Sequence, residues 1–465
     1  MNTGLPSEKQ KFLFLKTFGC QMNENDSDRI AGLLKKMEYT VIDNPAAADI
    51  IILNTCSIRY NAQHKVYSAT GRFRKLKELN KELIIGIGGC VAQQEGEGLF
   101  KKIPYIDIVF GTHSIHKLPE LIDSVILRRK KAIAVEFADA IDLEDSFDYP
   151  LEGSSVKAFV TIMRGCNNFC TYCIVPYVRG REASRKSSDI LAEVRRLAEN
   201  GIKEVMLVGQ NVNSYGNNGS DISFPSLLKA VCMVAGIERV RFMTSHPKDM
   251  SQELIEMFAA APKLCRYIHL PIQSGSDRVL KMMRRGYTRD GYLSKIDKVK
   301  KICPDISVTT DIIVGFPGET DRDFEDTMDI IKRVEYDGIF SFNYSPRPET
   351  EASRYDGQVS DTVRRERLAF LQAFQKEVTL RKNKAMTGQV KEVLVEGKSK
   401  AGHSDELTGR TGCNRIVNFC GRRDLIGRVM PVRIEDGYSN SLKGSVVLEQ
   451  KKVDGGLQKR MIYDA

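Results

Sequence analysis

The chain has 465 residues, enough for about three domains, and its hydrophobic content of 42% is ordinary for a globular protein. Its 70 lysines and arginines outnumber 60 acidic residues, and the net charge of +10 permits an anionic partner such as RNA without requiring one. No apolar run is long enough for a membrane span and no secretory signal is visible, so we expect a cytoplasmic protein without membrane association. The chain has eleven cysteines, and in that reducing compartment thiols serve metals rather than disulfides.

The first region alternates short apolar runs with amphipathic stretches. The pattern predicts strands at 12–18, 49–54, 83–88 and 106–110, with helices at 29–37 and 66–79. Alternating strands and helices are typical of an open parallel sheet that is covered by helices.

A cysteine follows each of the first three predicted strands: Cys20, Cys56 and Cys90. Because ligands gather at the carboxyl ends of parallel strands, this topology would bring the three thiols together to hold an iron–sulfur cluster. The alternative is three separate thiols in the core, where free cysteine is common. Residues 138–155 hold six acidic residues and neither lysine nor arginine, which predicts a solvated linker or, alternatively, an acidic functional segment.

The most informative motif is Cys166, Cys170 and Cys173, spaced C-x3-C-x2-C and preceded by Arg164-Gly165. A closed zinc or iron–sulfur site normally uses four protein ligands, so three thiolates on a cubane would leave one iron open for substrate or cofactor chemistry. Half of a zinc site, with its fourth ligand elsewhere, is the alternative.

The second region is a longer strand–helix series. Predicted strands lie at 156–163, 204–208, 239–243, 267–270, 306–313 and 338–343. Six such units predict a partial (β/α)6 barrel. Polar segments follow the strands, on the face where barrel enzymes collect their active-site residues. These segments are 166–173, 209–211, 245–247, 273–276, 315–319 and 344–347.

The last region begins with a predicted helix at 362–384. Short alternating runs at 390–395, 425–434 and 445–448 then predict a small antiparallel β-barrel, followed by a tail at 451–465. This region carries five arginines that form either a phosphate-binding face or an ordinary solvated surface: Arg410, Arg415, Arg422, Arg423 and Arg428. Five other cysteines are predicted to be packing residues: Cys232, Cys265, Cys303, Cys413 and Cys420.

The cysteine run at 166–173 resembles that of the radical S-adenosylmethionine (radical SAM) superfamily. Residues 11–450 as a whole resemble the methylthiotransferase branch of these enzymes. The resemblance implies an N-terminal methylthiotransferase domain at 11–137, the linker at 138–155, a radical SAM domain at 156–384, and a TRAM domain at 385–450 before the tail.

Within that branch, the sequence looks like the MiaB subfamily, the tRNA-2-methylthio-N6-dimethylallyladenosine synthases. The matching stretches are Thr17-Phe18-Gly19-Cys20, Asn54-Thr55-Cys56, Gly88-Gly89-Cys90, Val175-Pro176-Tyr177-Val178-Arg179-Gly180, Gly209-Gln210-Asn211-Val212-Asn213, Thr244-Ser245-His246-Pro247 and Ile268-His269-Leu270-Pro271-Ile272-Gln273-Ser274-Gly275-Ser276.

The resemblance implies two [4Fe–4S] clusters and S-adenosylmethionine as cofactors. Cys166, Cys170 and Cys173 would bind the SAM-cleaving cluster, and Cys20, Cys56 and Cys90 the auxiliary cluster. Tyr172 would lie beside the SAM adenine. The walls of the SAM site would include Gly209, Gln210, Ser245, Gln273, Ser274 and Gly315.

The activity implied by the resemblance is methylthiolation of C2 of N6-isopentenyladenosine at position 37, next to the tRNA anticodon. One SAM would methylate a sulfur on the auxiliary cluster, and cleavage of a second would give the radical that abstracts hydrogen from the base. The expected partners are the tRNA anticodon stem-loop and an electron donor such as flavodoxin or ferredoxin, with the protein itself a monomer. Rival hypotheses are methylthiolation of threonylcarbamoyl-adenosine in tRNA or of a ribosomal-protein aspartate, and a non-catalytic RNA-binding iron–sulfur sensor.

Overall fold

The computed structural model describes residues 10–57, 60–137, 156–217, 219, 221–399, 405–447, 449–453 and 456–460. The predicted linker at 138–155 lies outside these residues. Within the described part of the chain, no helix is long and apolar enough to cross a membrane.

The N-terminal region is a parallel sheet with helices on both faces, as the sequence predicted, and the sheet has six strands. Its strands are β1 (Lys11–Thr17), β2 (Tyr39–Val41), β3 (Ile50–Thr55), β4 (Ile84–Gly89), β5 (Ile108–Phe110) and β6 (Ala132–Ala134). Its helices are α1 (Gln21–Lys36), α2 (Tyr60–Leu79), α3 (Cys90–Glu95), α4 (Gly98–Lys102) and α5 (Leu118–Arg128). The order β2-β1-β3-β4-β5-β6 places β1, β3 and β4 side by side.

Two strands of this sheet, β2 and β6, are absent from the sequence prediction. Each has only three residues, too few for a pattern to separate it from a loop. The central strands β3 and β4 are buried along their whole length, because helices cover both faces of the sheet. Two apolar clusters, one on each face, form the core of this region.

The central region contains the six predicted parallel strands. They are β7 (Lys157–Thr161), β10 (Glu204–Val208), β11 (Arg239–Phe242), β12 (Tyr267–His269), β13 (Ser307–Val314) and β14 (Gly338–Asn343). A separate antiparallel pair is formed by β8 (Met163–Arg164) and β9 (Ala183–Ser184). The helices are α6 (Val175–Arg179), α7 (Ser187–Glu199), α8 (Phe224–Cys232), α9 (Gln252–Ala260), α10 (Asp277–Met282), α11 (Arg289–Ile302), α12 (Asp321–Val334) and α13 (Asp361–Lys384).

These six strands form two three-stranded parallel sheets, β11-β10-β7 and β12-β13-β14. An isolated parallel bridge between Val240 and Leu264 connects the two halves. The result is a partial barrel with β7 and β14 as its outermost strands. The largest apolar core of the protein lies between the strands and their helices.

The C-terminal region is a closed antiparallel-rich barrel of five strands in the order β15-β16-β17-β19-β18. The strands are β15 (Val390–Lys398), β16 (Glu406–Thr411), β17 (Ile416–Cys420), β18 (Val429–Gly437) and β19 (Leu442–Val446). The strand predicted at 425–434 begins later, because residues 423–425 form a turn of 3-10 helix. The sequence predicts a tail after residue 450, whereas β20 (Glu449–Val453) and β21 (Gly456–Arg460) pair as a hairpin.

The small barrel docks against the amino ends of the central strands. Arg241 of β11 donates to the carbonyl oxygens of Thr411 (2.7 Å), the last residue of β16, and of Gly412 (3.0 Å) in the turn that follows. Arg239 donates to the carbonyl oxygen of Arg410 at 2.6 Å. The carboxyl ends of the central strands therefore stay clear of this contact.

Candidate active site

The cysteines of the N-terminal trio, Cys20, Cys56 and Cys90, lie at the carboxyl ends of three neighbouring strands. Cys20 precedes α1, Cys56 follows β3 directly, and Cys90 is the first residue of α3. A hydrogen bond from Cys56 lowers the pKa of Cys20 to about 6, an effect that burial opposes and the charge of Arg179 reinforces. The topology thus brings together three thiols that stand 36 and 34 residues apart in the sequence.

Two glycines allow these loops to approach one another. A Cβ atom on Gly19 would lie 2.4 Å from the Cβ of Cys56, and the φ of Gly19 is 131°. A Cβ on Gly89 would lie 2.4 Å from the carbonyl oxygen of Thr55, and its φ is 89°. Only glycine tolerates both the conformation and the contact, so each glycine is required by the geometry of the trio.

The central trio, Cys166, Cys170 and Cys173, lies on the loop that follows β8. Gly165, just before Cys166, has a φ of 73°, and its backbone nitrogen donates to Gln210 Oε1 at 2.6 Å. The loop closes on itself through a hydrogen bond from the Cys173 nitrogen to the Cys170 carbonyl oxygen (2.9 Å). The Gly-Gln contact ties the loop to the end of β10.

Hydrogen-bond donors point at the sulfurs of this central trio. Arg285 Nη1 lies 3.3 Å from Cys170 Sγ and 3.3 Å from the hydroxyl of Tyr172, and Asn168 Nδ2 lies 3.4 Å from Cys166 Sγ. Burial and the neighbouring Cys170 raise the pKa of Cys173 to about 12. Thiols crowded in this way become thiolates only when a cation binds them, which is what an iron cluster provides.

The donor set fits a cluster better than a single ion. Within the described residues, no three histidine, cysteine, aspartate or glutamate side chains converge on the position of one metal ion. A cubane needs no such convergence, because each of its three thiolates binds a different iron. The two sets of three cysteines therefore suit two cubanes, each with an iron that has no protein ligand.

Helix α6 connects the two trios. It begins two residues after Cys173. Val178 of α6 and Ile174, which caps the helix, pack against Cys90 in a small buried cluster. Its last residue, Arg179, pairs with Asp26 Oδ2 at 2.9 Å and donates to Asn23 Oδ1 at 2.8 Å.

Sequence reasoning assigned no role to Arg179 or Asp26. One signal was available: Arg179 lies within a stretch that matches the family, only six residues after Cys173, and Asp26 lies six residues after Cys20. Their pairing across two domains, however, depends on tertiary structure that no local pattern encodes.

The predicted SAM-wall residues fall after β10, β11, β12 and β13, around the same end of the partial barrel. Gln273 has a φ of 76° and pairs with Ile312 of β13. Ser274 is fully buried, and its hydroxyl contacts Thr327 of α12 at 3.4 Å. Gly315 has a φ of 70°, and a Cβ there would lie 2.2 Å from Arg364 Cγ. A Cβ on Gly209 would lie 2.5 Å from Met163 Cγ.

Several buried polar atoms at this end are unsatisfied within the described structure. They include the Ser245 hydroxyl, His246 Nε2, and both amide atoms of Asn213. Burial, reinforced by Arg285, Lys248 and Lys295, lowers the pKa of His246 to about 2, so this ring is neutral. Buried polar atoms normally have partners, so this end of the barrel suits a polar ligand such as SAM.

Two phenylalanines that the sequence analysis missed lie on the inner face of β14. Phe340 and Phe342 are 49% and 38% exposed. The opposite face of β14 meets α13, since Gln372 donates to Ser341 at 3.3 Å, so alternation directs both rings into the barrel. The Phe340 ring contacts His269 edge-on, with a centroid separation of 5.7 Å.

The arginines of the small barrel divide into two groups. Arg415 pairs at 2.6 Å with Asp337 of the central region. Arg410 pairs at 3.2 Å with Glu396, which also pairs with Lys157 of β7 at 2.9 Å, so both arginines lie at the interface with the central region. The other three arginines, Arg422, Arg423 and Arg428, are exposed. Of the five cysteines predicted to pack, three are buried, whereas Cys413 is half-buried and the prediction for Cys420, which is exposed, is wrong.

Three segments of the chain match known protein families. Residues 12–111 match a family described as uncharacterized protein family UPF0004, residues 160–331 match the radical SAM superfamily, and residues 384–447 match the TRAM domain. The fold and the cysteine sites thus define a radical SAM protein with an additional N-terminal cysteine domain and a C-terminal TRAM barrel.

Curated relatives define the family more closely. The tRNA-2-methylthio-N(6)-dimethylallyladenosine synthase of Syntrophus aciditrophicus is 50% identical over 442 residues, which are 95% of this chain and 95% of that protein. The synthase of the same name from Syntrophotalea carbinolica is 50% identical over 94% of this chain and 100% of that protein. The chain belongs to the family of tRNA-2-methylthio-N(6)-dimethylallyladenosine synthases.

A solved structure with a similar fold is that of the radical S-adenosylmethionine methyltransferase TsrM from Kitasatospora setae. Its TM-score is 0.55 at 14% identity, with 74% of each chain covered. At this identity the likeness concerns the fold alone.

Proposed function

We propose that this protein transfers a methylthio group to C2 of N6-dimethylallyladenosine at position 37, next to the anticodon of tRNA. The observation that carries the proposal is that the segment directly after the central trio packs, through Ile174 and Val178, against Cys90 of the N-terminal trio, in a chain half identical to synthases of this name. The hydrogen on C2 is not acidic and C2 carries no leaving group, so acid–base catalysis alone has little effect there.

The two trios would hold the two [4Fe–4S] clusters, which with S-adenosylmethionine supply radical and sulfur-transfer chemistry. Cys166, Cys170 and Cys173 would hold the SAM-cleaving cluster, and Cys20, Cys56 and Cys90 the auxiliary cluster. The domains proposed from sequence, 11–137, 156–384 and 385–450, would each supply one part of this assembly.

The residues around the central trio would orient and tune the site. Gln210 fixes Gly165 and therefore the start of the cysteine loop. Arg285 places one guanidinium between Cys170 and Tyr172, where donation to sulfur favours the reduced state of a bound cluster. The unsatisfied polar atoms of Asn213 and Ser245 would bind polar groups of SAM, with Tyr172 beside its adenine.

The inner face of β14 would bind the substrate base. The target adenine must leave its stack to enter the protein. Phe340 and Phe342 offer the aromatic, apolar surface that both the unstacked base and its dimethylallyl group require.

The TRAM barrel and its synthase relatives support tRNA as the macromolecular partner. Arg422, Arg423 and Arg428 would contact RNA phosphates, which sets position without reading sequence. We further propose a monomer that works in the cytoplasm and receives electrons from a flavodoxin or ferredoxin.

The direct test uses anaerobically reconstituted protein, SAM, dithionite and an anticodon stem-loop RNA carrying N6-dimethylallyladenosine. Mass spectrometry of the digested RNA should detect the 2-methylthio nucleoside. An otherwise identical RNA carrying threonylcarbamoyl-adenosine serves as the matched control. Product from the control RNA alone, or from neither RNA, would contradict the proposal.

A further inference from the structure

A buried arginine of the central domain reaches the N-terminal cysteine trio. Arg179 is 2% exposed, and its guanidinium lies beside the sulfur of Cys90 as well as contacting Asn23 and Asp26. Asn23 in turn donates to the carbonyl oxygens of Phe18 (3.0 Å) and Thr55 (2.8 Å), which precede the loops of Cys20 and Cys56. Arg179 thus reaches the Cys90 loop directly and, through Asn23, the loops that carry Cys20 and Cys56.

The surrounding charges are unbalanced. Arg29, Arg164, Arg179 and Asp26 lie at this interface with almost no exposed surface. Arg185, which is also buried near Arg164, has its own carboxylate partner in Glu193 at 2.6 Å, so the excess of positive charge remains. Arg179 Nη1 and Arg164 Nε have no hydrogen-bond partner among the described residues. A buried excess of positive charge is costly unless an anion compensates it.

We propose that Arg179 is a positioning residue for the auxiliary cluster, so that the central domain completes the electrostatic site of a cluster held by the N-terminal domain. This inference rests on the proposed function, because it assumes a cubane on Cys20, Cys56 and Cys90. A cubane bound by three thiolates carries net negative charge, which matches the excess of buried guanidinium groups. Arg179 fixes the Cys90 side of the cluster and stabilises its reduced form.

The arrangement also couples the two cluster sites. Arg179 ends the helix that begins just after Cys173, so one short helix joins the central cysteine loop to the guanidinium beside Cys90. The carbonyl oxygen of Arg179 is held by His113 at 2.9 Å, and that of Val178 by Thr112 at 2.8 Å. These bonds fix the end of α6 to the N-terminal domain.

The test is the midpoint potential of the auxiliary cluster, measured by an anaerobic redox titration followed by electron paramagnetic resonance. The full-length background carries Cys166→Ala, Cys170→Ala and Cys173→Ala, so that only the N-terminal trio can hold iron. Arg179→Gln removes a positive charge and should shift the potential to a more negative value. Asp26→Asn removes a negative charge and should shift it to a more positive value. Arg179→Lys should keep most of the wild-type potential.

Opposite shifts separate an electrostatic role from a structural one, because general damage to the interface would not change sign with charge. Arg367→Gln, which disrupts a buried ion pair with Glu319 elsewhere, is the matched control and should leave the potential unchanged. If Arg179→Gln loses its iron, the shift in Asp26→Asn decides. An unchanged or negative shift there overturns the inference. Absence of any cluster in the background protein instead refutes the auxiliary site of the proposed function.

Discussion

At the scale of single residues, close backbone approach is as important to this site as the thiols themselves. Gly19 and Gly89 have positive φ values and leave no room for a side chain beside Cys56 and Thr55. The sequence places these glycines next to the cysteines, but only the neighbouring strands explain why no larger residue fits. Phe340 and Phe342 are partly exposed on the inner face of β14. The strand pattern predicts β14 but does not reveal that this face is open.

Gly19→Ala should lose the auxiliary cluster. The added methyl group would overlap the Cβ of Cys56 in a conformation that alanine rarely adopts, so Cys56 must move. Iron analysis after reconstitution should fall from about eight to about four atoms per chain, as expected for loss of one of two cubanes. Gly71→Ala, in an open position on α2, should retain full iron. Full iron in Gly19→Ala would show that the loop spacing is not required.

Phe340→Ala and Phe342→Ala should weaken binding of the modified RNA. Loss of about 1.5–3 kcal/mol of apolar contact predicts a rise in KM of roughly 10- to 100-fold for RNA carrying the dimethylallyl group. The effect on kcat should be smaller. Phe370→Ala, on the outer surface of α13, is the control and should leave KM unchanged. A fall in kcat with constant KM would place these rings outside the substrate pocket.

At the scale of elements, most strands of the two α/β regions were predictable and the domain interface was not. The six central strands and four of the N-terminal strands follow from apolar runs that end in polar segments. Helix α1 begins eight residues before its predicted start, because its first turns are polar although Asn23, Asn25 and Asp26 are buried. Those residues face another domain, as in the bond between Asn25 and Thr161 at 2.6 Å, and no helical period predicts that contact.

The loop at 273–276 depends on the capping residue Asp323 of α12. Asp323 accepts hydrogen bonds from Ser276 Oγ (2.5 Å) and from Thr320 Oγ1 (2.6 Å), and it pairs with Arg278. Asp323→Asn should therefore lower the free energy of unfolding by about 2–4 kcal/mol at neutral pH. Denaturant unfolding measures this value, with Asp297→Asn on the exposed surface as the control.

The contribution of Asp323 to the free energy of unfolding should depend on pH. Burial alone would raise its pKa, but hydrogen bonds from Arg278, Ser276 and Thr320 hold the pKa of Asp323 well below its usual range. A lowered pKa gives stabilisation that is complete above the unfolded value of about 4 and is lost as pH falls toward the folded value. The difference between wild type and Asp323→Asn should thus be constant from about pH 5 to 8 and shrink below about pH 4. A difference that grows on acidification would contradict this sign.

At the scale of the whole molecule, the TRAM barrel closes the amino end of the partial barrel, and the N-terminal domain covers its β7 side. The contact between the TRAM barrel and the partial barrel includes the buried Arg241, which donates to carbonyl oxygens of the TRAM barrel. The same guanidinium pairs with Glu204 at 2.9 Å. Domain order follows from the sequence, whereas this docking does not, because carbonyl acceptors in a turn have no sequence signature.

Arg241→Gln should destabilise the entire chain rather than the small barrel alone. The change leaves Glu204 buried without its charge partner and costs about 3–5 kcal/mol. A calorimetric scan should show a clear fall in Tm. Arg422→Gln, whose partner Asp424 is exposed, should change stability by less than about 1 kcal/mol. An unchanged Tm in Arg241→Gln would contradict the role of this ion pair in the stability of the domain interface.

The account depends on two separate clusters, and iron quantification combined with SAM cleavage tests this most directly. Wild-type protein should hold about eight irons per chain, and Cys→Ala replacement of either trio should leave about four. Loss of Cys166, Cys170 and Cys173 should abolish formation of 5′-deoxyadenosine, whereas loss of Cys20, Cys56 and Cys90 should spare cleavage and stop methylthiolation. About four irons in the wild type, or equal loss of cleavage in both variants, would contradict the account.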